Sequence, residues 1–85
     1  MRKFKYVVTD PKGIHARPAG LVVKQASGYK SDIIIKKGGR TADAKRIFSV
    51  MGLGIKCGEE ISFVIDGEDE EVSAKQLEAF IKENL

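Results

Sequence analysis

The one histidine of this chain stands in Gly13-Ile14-His15-Ala16-Arg17-Pro18-Ala19, and its surroundings suit phosphoryl transfer. Ahead of it, Asp10-Pro11-Lys12-Gly13 carries Asp at i, Pro at i+1 and Gly at i+3, the preferences of a type I turn. Behind it, Ala19, Val22, Val23 and Ala26 recur at i, i+3, i+4 and i+7, one apolar face of a helix. Pro18 is tolerated in a first helical turn, where N–H groups have no intrahelical acceptor anyway. This spacing puts His15 at or beside the N-cap, next to unpaired N–H groups and the positive end of the helix dipole, with Arg17 two residues on. A positive helix end disfavours imidazolium, and neutral imidazole keeps the lone pair that attacks phosphorus. A phosphoryl group so attached would meet the N–H groups of Ala16 and Arg17 and the Arg17 guanidinium. The same residues also fit an exposed capping histidine that does no chemistry.

The elements that must hold this turn are visible in the hydrophobic pattern. Phe4, Tyr6 and Val8 alternate with Lys3, Lys5 and Val7, as in a half-buried strand. Ile33-Ile34-Ile35 is a β-branched run leading to Gly38-Gly39, which predicts a hairpin into a short strand near Thr41 to Asp43. Ile47, Phe48, Met51 and Leu53 predict a short helix ended by Gly52 or Gly54, and sequence alone places Ile47, Phe48 and Met51 in the core. Ile61, Phe63 and Ile65 mark another strand. Ala74, Leu77 and Ile81 mark a final helix from Glu70 to about Asn84. The order strand, helix, strand, strand, helix, strand, helix implies an α+β domain with a sheet covered on one face, without fixing the strand order. Because a residue before proline avoids the α region, local propensity starts the first helix at Pro18 rather than Ala16.

Composition narrows the function classes. Eighty-five residues make one small domain, 1–85, too small for an elaborate enclosed active site. No long apolar run predicts a membrane span, and Lys5 interrupts the start before any apolar signal core develops. The one cysteine, Cys57, forms no internal disulfide and no metal cluster, reads as an incidental thiol, and fits a reducing cytoplasm. Fifteen basic and 12 acidic residues give a net charge of +3. Glu68, Asp69, Glu70 and Glu71 read as dipole-favoured charge at a helix start. The basic residues could steer acidic protein partners. A KH GxxG loop, an aromatic RNP segment and a helix-turn-helix pattern are all missing, which argues against nucleic acid. With no nucleotide loop, no metal cluster and no second base near His15, the expectation is no cofactor and no metal. On the same grounds the chain is not expected to be an enzyme.

Gly13-Ile14-His15-Ala16-Arg17-Pro18-Ala19 resembles the active-site motif of the HPr family, the histidine-containing phosphocarriers of the bacterial sugar phosphotransferase system. Gly28 to Ile33, Ala44 to Gly54, Gly58 to Ile61 and Gly67 to Glu71 resemble further segments of that family, end to end and without insertion. The resemblance implies an open-faced β-sandwich, four antiparallel strands covered on one face by three helices (βαββαβα). It implies that His15 takes phosphate on Nδ1 from phosphorylated enzyme I and passes it to sugar-specific enzyme IIA domains, with Arg17 stabilising the phosphoryl group. It places a docking surface on Gly20, Leu21 and Lys24 and on Arg46, Ile47, Phe48, Met51 and Gly52, with Lys45 and Lys56 nearby. Leu21 lies off the Ala19/Val22/Val23/Ala26 face and is therefore expected to be exposed. Gly20 costs the helix stability relative to alanine, and close approach of a partner would account for it. Most of the family has a regulatory serine where this chain has Arg46, so HPr kinase and the catabolite control protein do not carry over. The expected protein is a cytoplasmic monomer. The alternative is an HPr-like regulatory or accessory paralogue, or service in a non-sugar branch; a purely regulatory form could dispense with His15 and Arg17, which this chain keeps.

Overall fold

Alternating side chains at residues 2 to 7, 32 to 37 and 60 to 66 pair into one sheet, and the helical periods pack on it. In the computed structural model of residues 1–85 the elements are β1 (Arg2–Val7), α1 (Ala16–Ser27), β2 (Asp32–Lys37), β3 (Arg40–Asp43), α2 (Ile47–Gly52), β4 (Glu60–Asp66) and α3 (Glu70–Asn84). The strand order is β1-β4-β2-β3 with every pair antiparallel, so β4 is central although it is the last strand in the chain. This is the open-faced α+β sandwich implied by the resemblance.

Register explains the single core. Phe4 pairs with Phe63, and Phe63 with Ile35, so these side chains share the face that meets the helices. Ile33, Ile35, Ile61, Phe63 and Ile65 are buried there with Val22 and Ala26 of α1, Val50 of α2, and Leu77 and Ile81 of α3. The Phe4 and Phe63 rings stack at 4.7 Å, which adds a specific aromatic contact to the area buried. Lys3, Lys5 and Lys36 occupy the other face, open to solvent.

Three local expectations are corrected. First, α1 begins at Ala16, not Pro18. Burial of Ile14, Pro18, Ala19 and Val22 sets the helix start and overrides the pre-proline preference of Arg17. Second, α2 buries only Val50 fully: Ile47 is half-buried, Met51 is 38% exposed and Phe48 is 86% exposed. A six-residue helix lying on α1 and β3 can turn only one narrow stripe to the core. Third, Asp69 is more than dipole-favoured charge. Its carboxylate accepts the N–H groups of Lys30 and Ser31, each at 2.9 Å, and the Ser31 hydroxyl, and so fastens the α1–β2 connection to the start of α3. The Ser31 hydroxyl and the Lys30 N–H hold the Asp69 carboxyl well below the usual carboxylate range. Glu71, next but one, pairs with Arg2. No helix is long and apolar enough to cross a membrane.

Candidate functional site

The turn that delivers His15 forms as its residues dictate. The Gly13 N–H donates to the Asp10 carbonyl at 2.8 Å, and Asp10 Oδ1 accepts the Lys12 N–H at 2.9 Å. Gly13 has φ +66, and a Cβ there would stand 2.7 Å from the Lys56 Cα, so both backbone conformation and space demand glycine. Ile14 follows, only 5% exposed, donating its N–H to the Ile55 carbonyl at 3.0 Å.

His15 is then the N-cap residue, extended at φ −99 and ψ −168. Its carbonyl accepts the Ala19 N–H at 3.0 Å, while its side chain makes no capping hydrogen bond. The backbone is held on both sides and the half-exposed imidazole is left uncommitted. Ala16 and Arg17, both exposed, are the first two helical residues, so their N–H groups have no intrahelical acceptor; Pro18 supplies none. The first turn contains no carboxylate, so nothing in the helix itself neutralises its positive end. An arriving phosphoryl group would therefore find two N–H donors, a guanidinium and a helix dipole of the right sign.

His15 opens into a shallow cleft with Asp10, Pro11, Lys12, Arg17, Pro18, Leu21, Glu83 and Asn84. His15 and Arg17, paired on spacing alone, do share this surface. The opposite wall, Glu83 and Asn84, was not legible: it comes from the far end of the chain and carries no local signal. What brings it in is the Leu85 carbonyl, which accepts the N–H groups of Thr9 and Asp10 at 2.9 and 3.1 Å and the Thr9 hydroxyl at 2.9 Å.

Beside the cleft, α1 and α2 lie in contact, with the Ile47 Cδ1 only 3.8 Å from the place a Cβ on Gly20 would take. Leu21 is 38% exposed, as its position off the apolar face requires, and Phe48 and Met51 join it as the exposed apolar residues of these helices. Lys24 and Arg46 are exposed, and Gly52 closes α2. Arg46 lies 3.6 Å from Asp43, an exposed pair that leaves most of the guanidinium in solvent. Lys45 is committed elsewhere: its ammonium donates to the Tyr29 carbonyl at 2.8 Å, beyond the C-terminal end of α1 and away from His15. Cys57 is exposed on the loop before β4, its thiol 3.7 Å from the Thr9 carbonyl.

Known proteins share the sequence pattern and the fold of this chain. Residues 2–83 match the family model described as the PTS HPr component phosphorylation site. The chain is 38% identical to the phosphocarrier protein HPr of Mycoplasma genitalium over 85 residues, 99% of this chain and 97% of that one. The crystal structure of HPr from Thermoanaerobacter tengcongensis superposes with a TM-score of 0.92 at 33% identity, covering 99% of this chain and 94% of the other. Crh of Bacillus subtilis, whose crystal structure is a swapped-domain dimer, gives a TM-score of 0.77 at 34% identity, over 100% and 98% of the two chains.

Proposed function

Since the chain belongs to the HPr family of phosphocarrier proteins of the phosphotransferase system, we propose that it works as a single domain, 1–85, carrying a phosphoryl group on His15. One observation supports the reading above all others: His15 caps α1 with its ring unbonded, beside two N–H groups that lack intrahelical acceptors. The donor is the phosphohistidine of enzyme I and the acceptors are sugar-specific enzyme IIA domains. A ring nitrogen of His15 forms its bond to phosphorus as the donor's phosphorus–nitrogen bond breaks, and the exchange runs the same way onto the next histidine. The Ala16 and Arg17 N–H groups and the Arg17 guanidinium hold the phosphoryl oxygens during both exchanges. The chain supplies a reactive group and a docking surface, while its partners supply the catalysis, which makes it a carrier and not an enzyme.

Partners dock on Gly20, Leu21, Lys24, Ile47, Phe48, Met51 and Gly52. Exposed apolar residues of α1 and α2 edged by Lys24 and Arg46 suit a short-lived complex with an acidic partner. A serine phosphorylated at position 46 would repel such a partner, whereas Arg46 attracts it, so transfer runs without that brake. Incubation with ATP and an HPr kinase leaves the protein unmodified on this reading, and phosphate found on Ser49 would overturn it. The working form on this reading is a cytoplasmic monomer, as expected for a small carrier that meets several partners in turn. The similarity to Crh supports a second reading, an accessory protein that binds partners without moving phosphate, and a swapped dimer in solution would favour it.

The deciding experiment is incubation with phosphoenolpyruvate and enzyme I, followed by intact mass and the acid stability of any adduct. One acid-labile phosphate, absent from His15→Ala, is expected. The variant keeps its fold, because loss of a capping residue whose side chain makes no bond costs about 1 kcal/mol or less. No adduct, with a control HPr labelled in parallel, would assign the chain to the accessory class.

A further inference from the structure

We propose that Lys37 is a positioning residue for His15, acting through the loop between α2 and β4; this rests on the phosphoryl-transfer reading above. Lys37 ends β2 in register with Ile33 and Ile35, on the face that otherwise carries the core. Its ammonium does not leave that face for open water. It donates to the Gly54 carbonyl at 2.9 Å and the Leu53 carbonyl at 3.3 Å, and lies 3.0 Å from Glu59 Oε1. The same Glu59 oxygen accepts the Lys56 N–H at 2.7 Å. One ammonium and one carboxylate therefore grip the loop at its beginning and its end. The Lys37 hydrogen bond, seconded by the Lys56 N–H, holds the Glu59 carboxyl below its ordinary value.

The hairpin does this because α2 cannot. The last turn of α2 holds no basic residue; the Leu53 and Gly54 N–H groups serve the Val50 and Met51 carbonyls, and the Gly52, Leu53 and Gly54 carbonyls that follow are met from the hairpin. Arg40, across the hairpin from Lys37, meets the Gly52 carbonyl at 2.7 Å and completes the series. Between the two gripped ends stands Ile55, whose carbonyl receives the Ile14 N–H, and Lys56, against whose backbone Gly13 is laid. His15 directly follows Ile14. The loop is thus the template for the turn that aims the imidazole, and a misplacement of about 1 Å at a reacting group can cost a hundredfold in rate.

Lys37→Met keeps the apolar stem and removes the ammonium. In the full chain, amide exchange at Ile14 is expected to rise about tenfold, the scale of one charge-assisted hydrogen bond, with Phe63 in β4 unchanged. Phosphorylation by enzyme I and phosphoenolpyruvate should lose several-fold in kcat with KM unaltered, and Lys37→Arg should restore both readouts. Wild-type exchange at Ile14 would overturn the proposal, as would Ile14 and Phe63 accelerating together, or a loosened Ile14 with kcat intact. If the methionine variant fails to fold, Glu59→Gln opens the other half of the grip and meets the same criteria. Selective loosening of Ile14 in a protein that takes no phosphate even as wild type would uphold the positioning of the turn and remove the transfer reading instead.

Discussion

Phe48 gives the sharpest test of the proposed docking surface, because almost none of it is used by the fold. At 86% exposure it leaves nearly the whole ring in water. Full burial of such a side chain is worth about 2 kcal/mol, which a partner can recover and the isolated protein does not. Phe48→Ala should therefore weaken association with enzyme I by about thirtyfold, at ~1.4 kcal/mol per decade. The folded state should lose no more than about 0.5 kcal/mol, the range of surface substitutions. Calorimetric titration against enzyme I measures the first quantity and urea unfolding the second. In steady-state phosphorylation the loss should fall on KM, with kcat approached at saturation. Ile47→Ala is the contrast, because Ile47 is half-buried against the core and must cost both affinity and stability. Unchanged affinity for the Phe48 variant, or a loss of stability comparable to that of Ile47→Ala, would refute the reasoning.

Two other expectations concern the scaffold. Gly20→Ala should stabilise α1 by up to ~1 kcal/mol, because the added Cβ would stand 3.8 Å from Ile47, an ordinary contact; a raised thermal midpoint with slower transfer would tie the glycine to partner approach, and a lowered midpoint would show the space misjudged. Acid stability should follow Asp69. A carboxyl whose folded value is depressed contributes stability above its ordinary value of 3.8 and loses it as the pH falls below that point. Asp69→Asn should be less stable than wild type at pH 7 and show a flatter decline at low pH. Glu59, bonded by Lys37, and Glu70, bonded by the terminal amino group, remain to titrate in both proteins. Parallel acid curves for the two proteins would remove Asp69 from the account.

Much of the architecture was legible because its signals are local. The alternation of Ile61, Phe63 and Ile65 marks β4, and the spacing of Ala74, Leu77 and Ile81 marks α3, found from Glu70 to Asn84 as expected. His15 could be placed because a turn, a proline and an apolar helical face converge on seven consecutive residues. Strand order was not legible: nothing in β1 says that its neighbour lies beyond residue 59, and the resemblance implied only four antiparallel strands. The apolar residues of α2 misled, since the same spacing serves a face turned to the protein's own core or one turned to a partner. Asp69 was undervalued for a related reason, as its partners Lys30 and Ser31 are joined to it only by the fold. Glu83 and Asn84 escaped notice for want of any local pattern around them.

The central place of β4 bears on how this protein comes into being. During synthesis β1, α1, β2, β3 and α2 all emerge before the strand that must separate β1 from β2. The hairpin of β2 and β3 can close early, but β1 has no neighbour until residues 60 to 66 arrive. Ile55, on which Ile14 depends, precedes that strand only slightly. Sheet closure and the alignment of His15 therefore coincide late in translation, after long-range loop closure that slows folding. A nascent or truncated chain lacking β4 exposes the histidine without aiming it, so the ability to accept phosphate should switch on in one cooperative step with completion of the sheet.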